Sequence, residues 1–427
     1  MFARLVGLLL FTVSMAGCGL LSQPPGQDAP PPPRSVPQIG YIGADDQVYV
    51  SETNGSAARQ LTAQVSGLSN DQGWTYRWPT YSPDGRRLAF AGYRTQSGAL
   101  LSSAVLSADT GPASANPSVV LESTDLAPIY LYWSPDSRHL TALLQRGSTL
   151  ELHLLDSTGQ EAPRRLLVGQ PLYWSWAPDA KTLAVHVGAD PQSPDTWVGL
   201  LHVSDASAQE ERFPDAPGGF RAPAWAPGAA DTLAYVALGG GTSILSVRNT
   251  AGQVTRITSS PTDIAFSWSL PGDWLAFASA STDTPATYSG VEVARADGSQ
   301  RHRLSSDPLV AFYWAPDGTR LALLGLDTAA QALAWSVVSV DGKQHQTLTS
   351  FVPSSDFAFQ LPFFDQYAQS TRLWSADGQK LVYGATGGSE RRNGSALTEQ
   401  VMLLDTTGQA APAAIAQGSV AVWSPAK

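Results

Sequence analysis

The 427 residues carry 26 Lys and Arg against 36 Asp and Glu, giving a formal net charge of −10 at pH 7. No Lys- or Arg-rich tract is present, which argues against nucleic-acid binding and against a polybasic attachment to anionic lipid. The single Cys excludes an intramolecular disulfide, and 38 Gly with 31 Pro are typical of many strands joined by tight turns.

Residues 1–17 have the features of a lipoprotein signal peptide. The early charge of Arg4 precedes an apolar run at 5–13, and small residues precede Cys18. The segment Met15-Ala16-Gly17-Cys18 resembles a bacterial lipobox, which implies cleavage before Cys18 and lipidation of that cysteine. An ordinary secretory signal with a chance Cys is the alternative. The apolar run is shorter than the roughly 20 residues of a membrane-spanning helix.

Residues 18–37 are predicted to form a lipidated, Pro-rich tether. The segment contains Pro24-Pro25 and the run Pro30-Pro31-Pro32-Pro33. Proline fixes φ and removes a backbone donor, so we expect an extended, semi-rigid spacer. Its role would be to hold the folded body, residues 38–427, away from a membrane surface.

A short phrase recurs through the folded body: an aromatic residue, a small residue, usually Pro, and then Asp-Gly or a variant. Its eight copies begin at Tyr81, Trp133, Trp176, Trp225, Trp268, Trp314, Trp374 and Trp423. A Leu opens an apolar run seven residues later in six copies and eight residues later in the fourth. Self-similarity at a period of roughly 40–60 residues predicts a solenoid or a propeller.

Each repeat has the pattern of four antiparallel strands. In residues 309–350, an apolar run ends at Trp314, and turns follow at Ala315-Pro316-Asp317-Gly318 and at Asp341-Gly342. Pro presets φ, Asp accepts from nearby backbone N–H groups, and Gly tolerates positive φ. Calcium ligation by such Asp residues is the alternative, but none of these turns supplies the ligands of an EF-type loop. A four-stranded unit repeated around an axis is a propeller blade.

The phrase resembles the repeats of TolB-type, WD-like β-propellers. The resemblance rests on Trp133-Ser134-Pro135-Asp136, on Trp314-Ala315-Pro316-Asp317-Gly318 and on Tyr81-Ser82-Pro83-Asp84-Gly85, and it covers about residues 38–427. It implies an all-β fold with one propeller. TolB has an additional α/β domain ahead of its propeller, whereas residues 19–37 of this chain form a proline-rich spacer, so TolB's partners are not carried over.

The two ends of the folded body contain complementary fragments. Trp423-Ser424-Pro425 is a phrase without a following strand, and residues 39–62 supply three strands without a preceding phrase. Because closure removes unpaired edge strands, we expect the C-terminal strand to pair with the N-terminal strands and complete eight four-stranded blades. Seven blades is the alternative, if one repeat is degenerate.

The repeated aromatic residues have two interpretations. They could form a stacking platform for sugars or bases. One large aromatic residue at a fixed position in each blade is also what packing between adjacent sheets requires, since each Trp buries a large area. We expect the packing role.

The variable loops, which all leave the sheets at one end, are where we expect function to reside. The loop at 351–369 is rich in Phe, and the loop at 62–77 combines aromatic residues with Arg, a mixture favoured at interfaces. Scattered surface charge and a loop that folds over the end of the propeller are the alternatives. The candidate interaction face consists of Trp74, Tyr76, Arg77, Arg94, Arg221, Phe357, Phe359, Phe363, Phe364 and Tyr367.

No catalytic motif is recognisable. The six His residues have no H-E-x-x-H spacing, and no G-x-S-x-G elbow is present. The second resemblance, to the propellers of prolyl-oligopeptidase-type hydrolases, therefore lacks the hydrolase signature. We expect a protein without enzymatic activity, cofactor or metal.

The expected function is that of a monomeric, lipid-anchored extracytoplasmic propeller that binds envelope proteins or a small ligand, as an interaction, scaffold or binding module. It would contact the membrane through its lipid only. The alternative is an envelope hydrolase or lyase acting on a sugar, lactone or peptide at the channel mouth. Such an enzyme needs convergent carboxylates, and the nearest acids are Asp195, Asp263, Asp327 and Asp365.

Overall fold

The structure is a computed structural model that describes residues 36–70, 72–111, 116–190, 193–204, 207–228, 231–387 and 398–425. The expected signal peptide, the lipidation site Cys18 and nearly all of the Pro-rich tether lie outside the described residues. Most of the variable loop at 386–397 also lies outside them.

β-Strand is the main secondary structure of the described chain, which is built from antiparallel sheets. Three short strands come first: β1 (Ile39–Gly43), β2 (Val48–Ser51) and β3 (Arg59–Gln60). Three sheets of four consecutive strands follow. Their strands are β4 (Trp74–Tyr81), β5 (Arg87–Gln96), β6 (Ala99–Asp109) and β7 (Ser118–Ser123); β8 (Ala127–Trp133), β9 (His139–Arg146), β10 (Thr149–Asp156) and β11 (Arg164–Gly169); β12 (Leu172–Trp176), β13 (Thr182–Val187), β14 (Trp197–Val203) and β15 (Ala208–Arg212).

The next sheet has an interrupted first strand, because two short strands both pair with β18. Its strands are β16 (Ala216–Pro217), β17 (Ala224–Trp225), β18 (Thr232–Gly239), β19 (Thr242–Asn249) and β20 (Val254–Ser260). A regular four-stranded sheet follows, with β21 (Ile264–Trp268), β22 (Leu275–Ser279), β23 (Val291–Ala294) and β24 (His302–Ser305).

The last strands join the first three in a ten-stranded sheet. They are β25 (Leu309–Trp314), β26 (Arg320–Asp327), β27 (Ala332–Ser339), β28 (His345–Pro353), β29 (Lys380–Gly387), β30 (Thr398–Asp405) and β31 (Ala413–Trp423). Two long strands each pair with two neighbouring strands. The first part of β28 pairs with β27 and its last two residues pair with β29, while β31 pairs first with β30 and then with β1. The sheet therefore consists of three successive units joined by continuous strands.

The two chain ends pair as the complementary sequence fragments predict. Ile39 lies opposite Trp423, and Ile42 lies opposite Val420. Beyond the strands, the N–H of Ser424 donates to the carbonyl of Gln38 at 2.9 Å. The backbone groups of β1 are thus satisfied by residues from the far end of the chain.

The Asp residues of the repeated phrase are turn formers in the structure. In the first copy, Asp84 Oδ1 accepts from the N–H of Arg86 at 3.0 Å, and Gly85 has a φ of 70°. In the seventh, Asp377 Oδ1 accepts from the N–H of Gln379 at 3.0 Å. Each carboxylate thus accepts a hydrogen bond from a backbone N–H of its own turn, as expected for Asp at such positions.

The Trp residues of the phrase connect neighbouring sheets. In several copies the indole Nε1–H donates a hydrogen bond to the preceding sheet. The acceptor is the backbone carbonyl of the residue that comes just before the aromatic residue of that sheet. These bonds join Trp133 to Thr80, Trp268 to Ala224, Trp314 to Ser267 and Trp374 to Tyr313, at 3.0–3.1 Å. Trp176 uses a relay, since its indole donates to Thr141 Oγ1, which donates to the carbonyl of Tyr132. In these five copies the aromatic position therefore combines burial with an inter-sheet hydrogen bond, whereas the indole N–H groups of Trp225 and Trp423 have no partner.

Candidate functional site

A helical insertion, residues 354–370, separates β28 from β29. It contains α1 (Ser355–Gln360), a 3₁₀ turn (Leu361–Phe363) and α2 (Phe364–Ser370). Ser354 caps α1, because its Oγ accepts from the N–H of Phe357 and also donates to the carbonyl of Ser419 in β31. The variable loop predicted at 351–369 is thus the end of β28 followed by two short helices.

The helical insertion lies among the first strands of several sheets. Thr80 Oγ1 of β4 donates to the carbonyl of Ser370 at 2.6 Å, and the Tyr130 hydroxyl of β8 donates to the carbonyl of Gln366 at 2.9 Å. On another side, the rings of Phe312 in β25 and Phe364 pack edge to face with centroids 4.8 Å apart. Strands that are distant in sequence therefore meet through this one segment.

The aromatic side chains of the insertion divide into buried and exposed groups. Phe357, Phe364 and Tyr367 are 1%, 0% and 7% exposed, which corrects their predicted place on an exposed face. They fill the space between the first strands, where apolar burial stabilises the fold. Phe359 and Phe363 are 53% and 38% exposed, so these two remain candidates for contact with a partner.

The predicted residues of β4 and β5 also lie mostly inside. Trp74 and Tyr76 are buried in the core, because the alternation of β4 turns them inward, and their predicted exposure is likewise corrected. Arg77 forms ion pairs with Asp46 at 2.8 Å and with Asp356 of α1 at 3.4 Å. Arg94 is half-buried. Arg77 therefore links β4 to the helical insertion.

Arg221 forms the most buried ion-pair network of the candidate face. It lies between β16 and β17, is 8% exposed, and its Nη2 is 2.7 Å from Asp263 Oδ2. Its Nη1 is 3.3 Å from Asp365 Oδ2 of α2, and its Nη2 donates to the Tyr288 hydroxyl at 2.8 Å. The network connects the interrupted first strand of the β16–β20 sheet to the helical insertion, so the expected surface cation is a buried anchor.

The pKa values in this network follow from burial and mutual charge. Burial would lower the pKa of Arg221, but Asp365, Tyr288 and Asp263 outweigh it and raise this pKa. Burial raises the pKa of the Asp365 carboxyl, although Arg221 opposes the shift. Burial also raises the pKa of Tyr288 to about 12. The guanidinium therefore stays charged and compensates the carboxylates around it.

Of the four acids considered for catalysis, the structure brings two together. Asp263 and Asp365 both contact Arg221. Asp327 accepts instead from Ser350 Oγ at 2.6 Å, and Asp195 lies in an exposed turn. The two convergent carboxylates thus share one cation, an arrangement that suits anchoring of the helical insertion.

Phe359 and Phe363 border an aromatic pocket of about 150 Å³. Its lining residues come from the insertion and from β8, β9, β10, β12 and the turn before β12: Ile129, Tyr130, Leu143, Leu150, Pro171, Leu172, Tyr173, Phe359, Phe363, Gln366 and Tyr367. The wall is held in place, since Tyr367 packs edge to face on Tyr130 with ring centroids 5.2 Å apart. The pocket is therefore a preformed apolar recess with two exposed aromatic rings at its rim.

Sequence reasoning missed Tyr130 and Tyr173, the aromatic residues that the first strands contribute to this pocket. The available signal was their position early in a first strand, where alternate side chains face inward. The sequence could not show what packs against those side chains, because the helical insertion that covers them is more than 180 residues further along the chain.

In the part of the chain that the structure describes, no group of three or more His, Cys, Asp or Glu side chains is placed to hold a metal ion. Among the same residues, no helix combines the length and the apolar character needed to cross a membrane. No family model matches the sequence.

Several solved structures resemble the chain. An oligogalacturonate lyase in complex with manganese has 13% sequence identity and a TM-score of 0.52, over 88% of this chain and 98% of that one. A prolyl endopeptidase has 12% identity and a TM-score of 0.54, over 82% of this chain and 50% of the peptidase. TolB from Acinetobacter baumannii has 17% identity and a TM-score of 0.39, over 82% of both chains. At these identities, the two TM-scores above 0.5 show the fold alone, and that fold is consistent with a β-propeller.

Proposed function

We propose that this chain is a lipid-anchored, extracytoplasmic β-propeller of the TolB type that acts as a binding module of the cell envelope. The aromatic pocket carries the proposal, because Phe359 and Phe363 present exposed rings beside a preformed apolar wall. Aromatic anchors beside a packed pocket are typical of interaction hot spots. The partner is then an envelope protein that inserts an apolar side chain between the two rings.

The proposed architecture has eight four-stranded blades. Five are the separate sheets from β4 to β24, and three are the successive units of the ten-stranded sheet. The pairing of β31 with β1 supports closure of the propeller by the two chain ends. The first strands of the blades would then surround the helical insertion, which holds Phe359 and Phe363 rigidly.

A rigid insertion suits a binding surface. Arg221 fixes α2 through Asp365, and Arg77 fixes α1 through Asp356. Because the rim residues are already ordered, little conformational entropy is lost when a partner binds, which favours affinity. The buried Arg221 pair and the half-buried Arg77 pair thus support the segment that carries the two exposed rings.

Photocrosslinking tests the pocket. A photoreactive phenylalanine analogue at position 359, in the full-length chain in its own envelope, should give a defined crosslinked protein. Phe363→Ser should abolish that product, because it removes the neighbouring ring. The same analogue at Val254, an apolar residue of β20 that is 48% exposed, should not give it. A product that is identical from both positions, or that survives Phe363→Ser, would overturn the assignment.

The lipid anchor has its own test. Wild-type protein should incorporate radiolabelled palmitate and sediment with membranes, because the acylated Cys18 holds it there. Cys18→Ser should incorporate no label and lose membrane association. If Cys18→Ser remains fully membrane-bound, the anchor lies elsewhere.

Catalysis is not part of the proposal. The alternative, a hydrolase or lyase acting on a sugar, lactone or peptide, needs carboxylates that can exchange protons with a substrate. Arg221 binds both Asp263 and Asp365, which favours a structural role for this pair.

A further inference from the structure

A second cavity of about 150 Å³ lies where the first strands of several sheets end. The aromatic pocket, by contrast, lies where such strands begin. Its walls include the aromatic residues that end several first strands, among them Trp133, Trp268, Trp314 and Trp423. The segment that follows α2, residues 371–374, forms another part of the wall. We refer to this space as the Arg372 cavity.

Arg372 is the only charged residue among the described residues that line this cavity. The side chain is accessible, and its guanidinium makes no ion pair or hydrogen bond with the described residues. A guanidinium stays protonated at neutral pH. An exposed cation without an ion-pair partner among the described residues thus lines a cavity with aromatic walls.

The same walls contain two buried polar atoms without partners. The indole Nε1–H of Trp423 and the side-chain Oε1 of Gln369 make no hydrogen bond, although both residues line the cavity. Trp133, Trp268, Trp314 and Trp374 all use the same indole N–H to bind the preceding sheet. Trp225 and Trp335 also have a buried Nε1–H without a partner and do not line the cavity, so the unused donor of Trp423 is not by itself a sign of a ligand.

We propose that the Arg372 cavity binds a small organic carboxylate with an aromatic or apolar body. The Arg372 guanidinium receives the carboxylate, whose planar oxygens match its fork of N–H donors. The Trp walls enclose the apolar body. Binding at this cavity is separate from partner binding at the aromatic pocket.

The size and lining of the cavity select this chemical class. An apolar cavity of about 150 Å³ is large enough for a benzene ring. A phosphate dianion would lose most of its hydration in exchange for one cation, which is unfavourable in such surroundings. A neutral aromatic molecule would leave the Arg372 charge unpaired. A single carboxylate attached to a ring satisfies both the cation and the walls.

Benzoate is the probe, and benzamide is its neutral counterpart of the same shape. Calorimetric titration of the full-length chain should show saturable benzoate binding, with benzamide weaker by about tenfold or more because it lacks the charge-assisted bond. Arg372→Gln should weaken benzoate binding by about tenfold or more and leave benzamide little changed. In a ¹⁵N–¹H spectrum, the Trp423 indole resonance should shift on addition of benzoate.

Arg256→Gln is the matched control, because Arg256 is an exposed arginine of β20 outside the cavity. It should bind benzoate as the wild type does. The proposal fails if Arg372→Gln retains wild-type affinity for benzoate, if benzamide binds as well as benzoate, or if benzoate shows no saturable binding. Circular dichroism and the unfolding midpoint of Arg372→Gln would show whether the variant is folded.

Discussion

Arg221 stabilises the fold through charge compensation at a largely buried position. Its guanidinium contacts Asp263 and Asp365, and Asp365 is 5% exposed. Removing one partner of a buried ion pair leaves an uncompensated charge, which costs about 3–5 kcal/mol. We therefore expect Arg221→Met to lower the free energy of unfolding by about that amount in urea denaturation at neutral pH.

Two further variants separate charge compensation from simple loss of packing. Arg221→Met combined with Asp365→Asn should lose less stability than the sum of the single variants, because the second change removes the unpaired charge. Arg212→Met removes an exposed ion pair with Glu210 and should cost about 1 kcal/mol or less. Equal losses in Arg221→Met and Arg212→Met would contradict the buried-network interpretation.

His186 links this network to pH. Its ring nitrogens lie 3.0 Å from the carbonyl oxygens of Arg221 and Gly188, and burial lowers the pKa of His186 despite those acceptors. The unfolded chain takes up the proton near pH 6.5, while the folded protein resists it until lower pH. Stability from this group is therefore present above about pH 6.5 and is lost as the pH falls.

The His186→Gln variant tests that linkage. The wild-type free energy of unfolding should fall between about pH 7.5 and 5.5 more steeply than that of His186→Gln, since Gln does not titrate. Denaturation curves at several pH values measure both slopes. Parallel slopes would show that His186 takes up its proton equally well in the folded and unfolded states.

At the scale of elements, the repeated Trp is a core residue and, in five of its seven copies, a hydrogen-bond donor between sheets. Trp133→Phe removes the donor to the Thr80 carbonyl and leaves that acceptor buried. Trp423→Phe removes an indole of the same size whose Nε1–H has no partner. We expect Trp133→Phe to be the more destabilising change, by about 1 kcal/mol or more in denaturant unfolding. Equal losses would mean that the inter-sheet bond adds nothing to packing.

The turns of the sheets could be predicted from sequence because their chemistry is local. Pro, Asp and Gly at fixed offsets determine each turn within a few residues, as Asp84 and Gly85 show. The helical insertion could not be predicted in this way. Its helices have six and seven residues, too short to be stable alone, so packing of Phe357 and Phe364 against distant strands determines their conformation.

The same contrast of local and distant information applies to the whole molecule. The pairing of the chain ends was predictable, since a phrase without a strand and strands without a phrase complete each other. The Arg221–Asp365 pair was not, because 144 residues separate its members and only the arrangement of the sheets brings them together. The residues of the candidate face were predicted from their position in variable loops. The structure shows that five of them are buried: Trp74, Tyr76, Phe357, Phe364 and Tyr367.

The pairing of β31 with β1 leads to a prediction for the stability of the whole fold. Removing residues 418–427 takes the partner strand from β1, whose five residues are all buried. The amides of β1 to β3 should then exchange with solvent quickly, because an unpaired edge strand has no ladder bonds to protect it. Hydrogen–deuterium exchange with mass spectrometry measures this for peptides covering residues 39–60.

Peptides from the sheet of β8 to β11 provide the internal control, since its strands pair only with one another among the described residues. In the truncated chain they should retain more protection than those of β1. Loss of protection in both regions at once would mean that the sheets unfold as one cooperative unit through the shared helical insertion. Protection of β1 that is unchanged by the truncation would contradict the role of the C-terminal strand, because β1 would then be stable without its long-range partner.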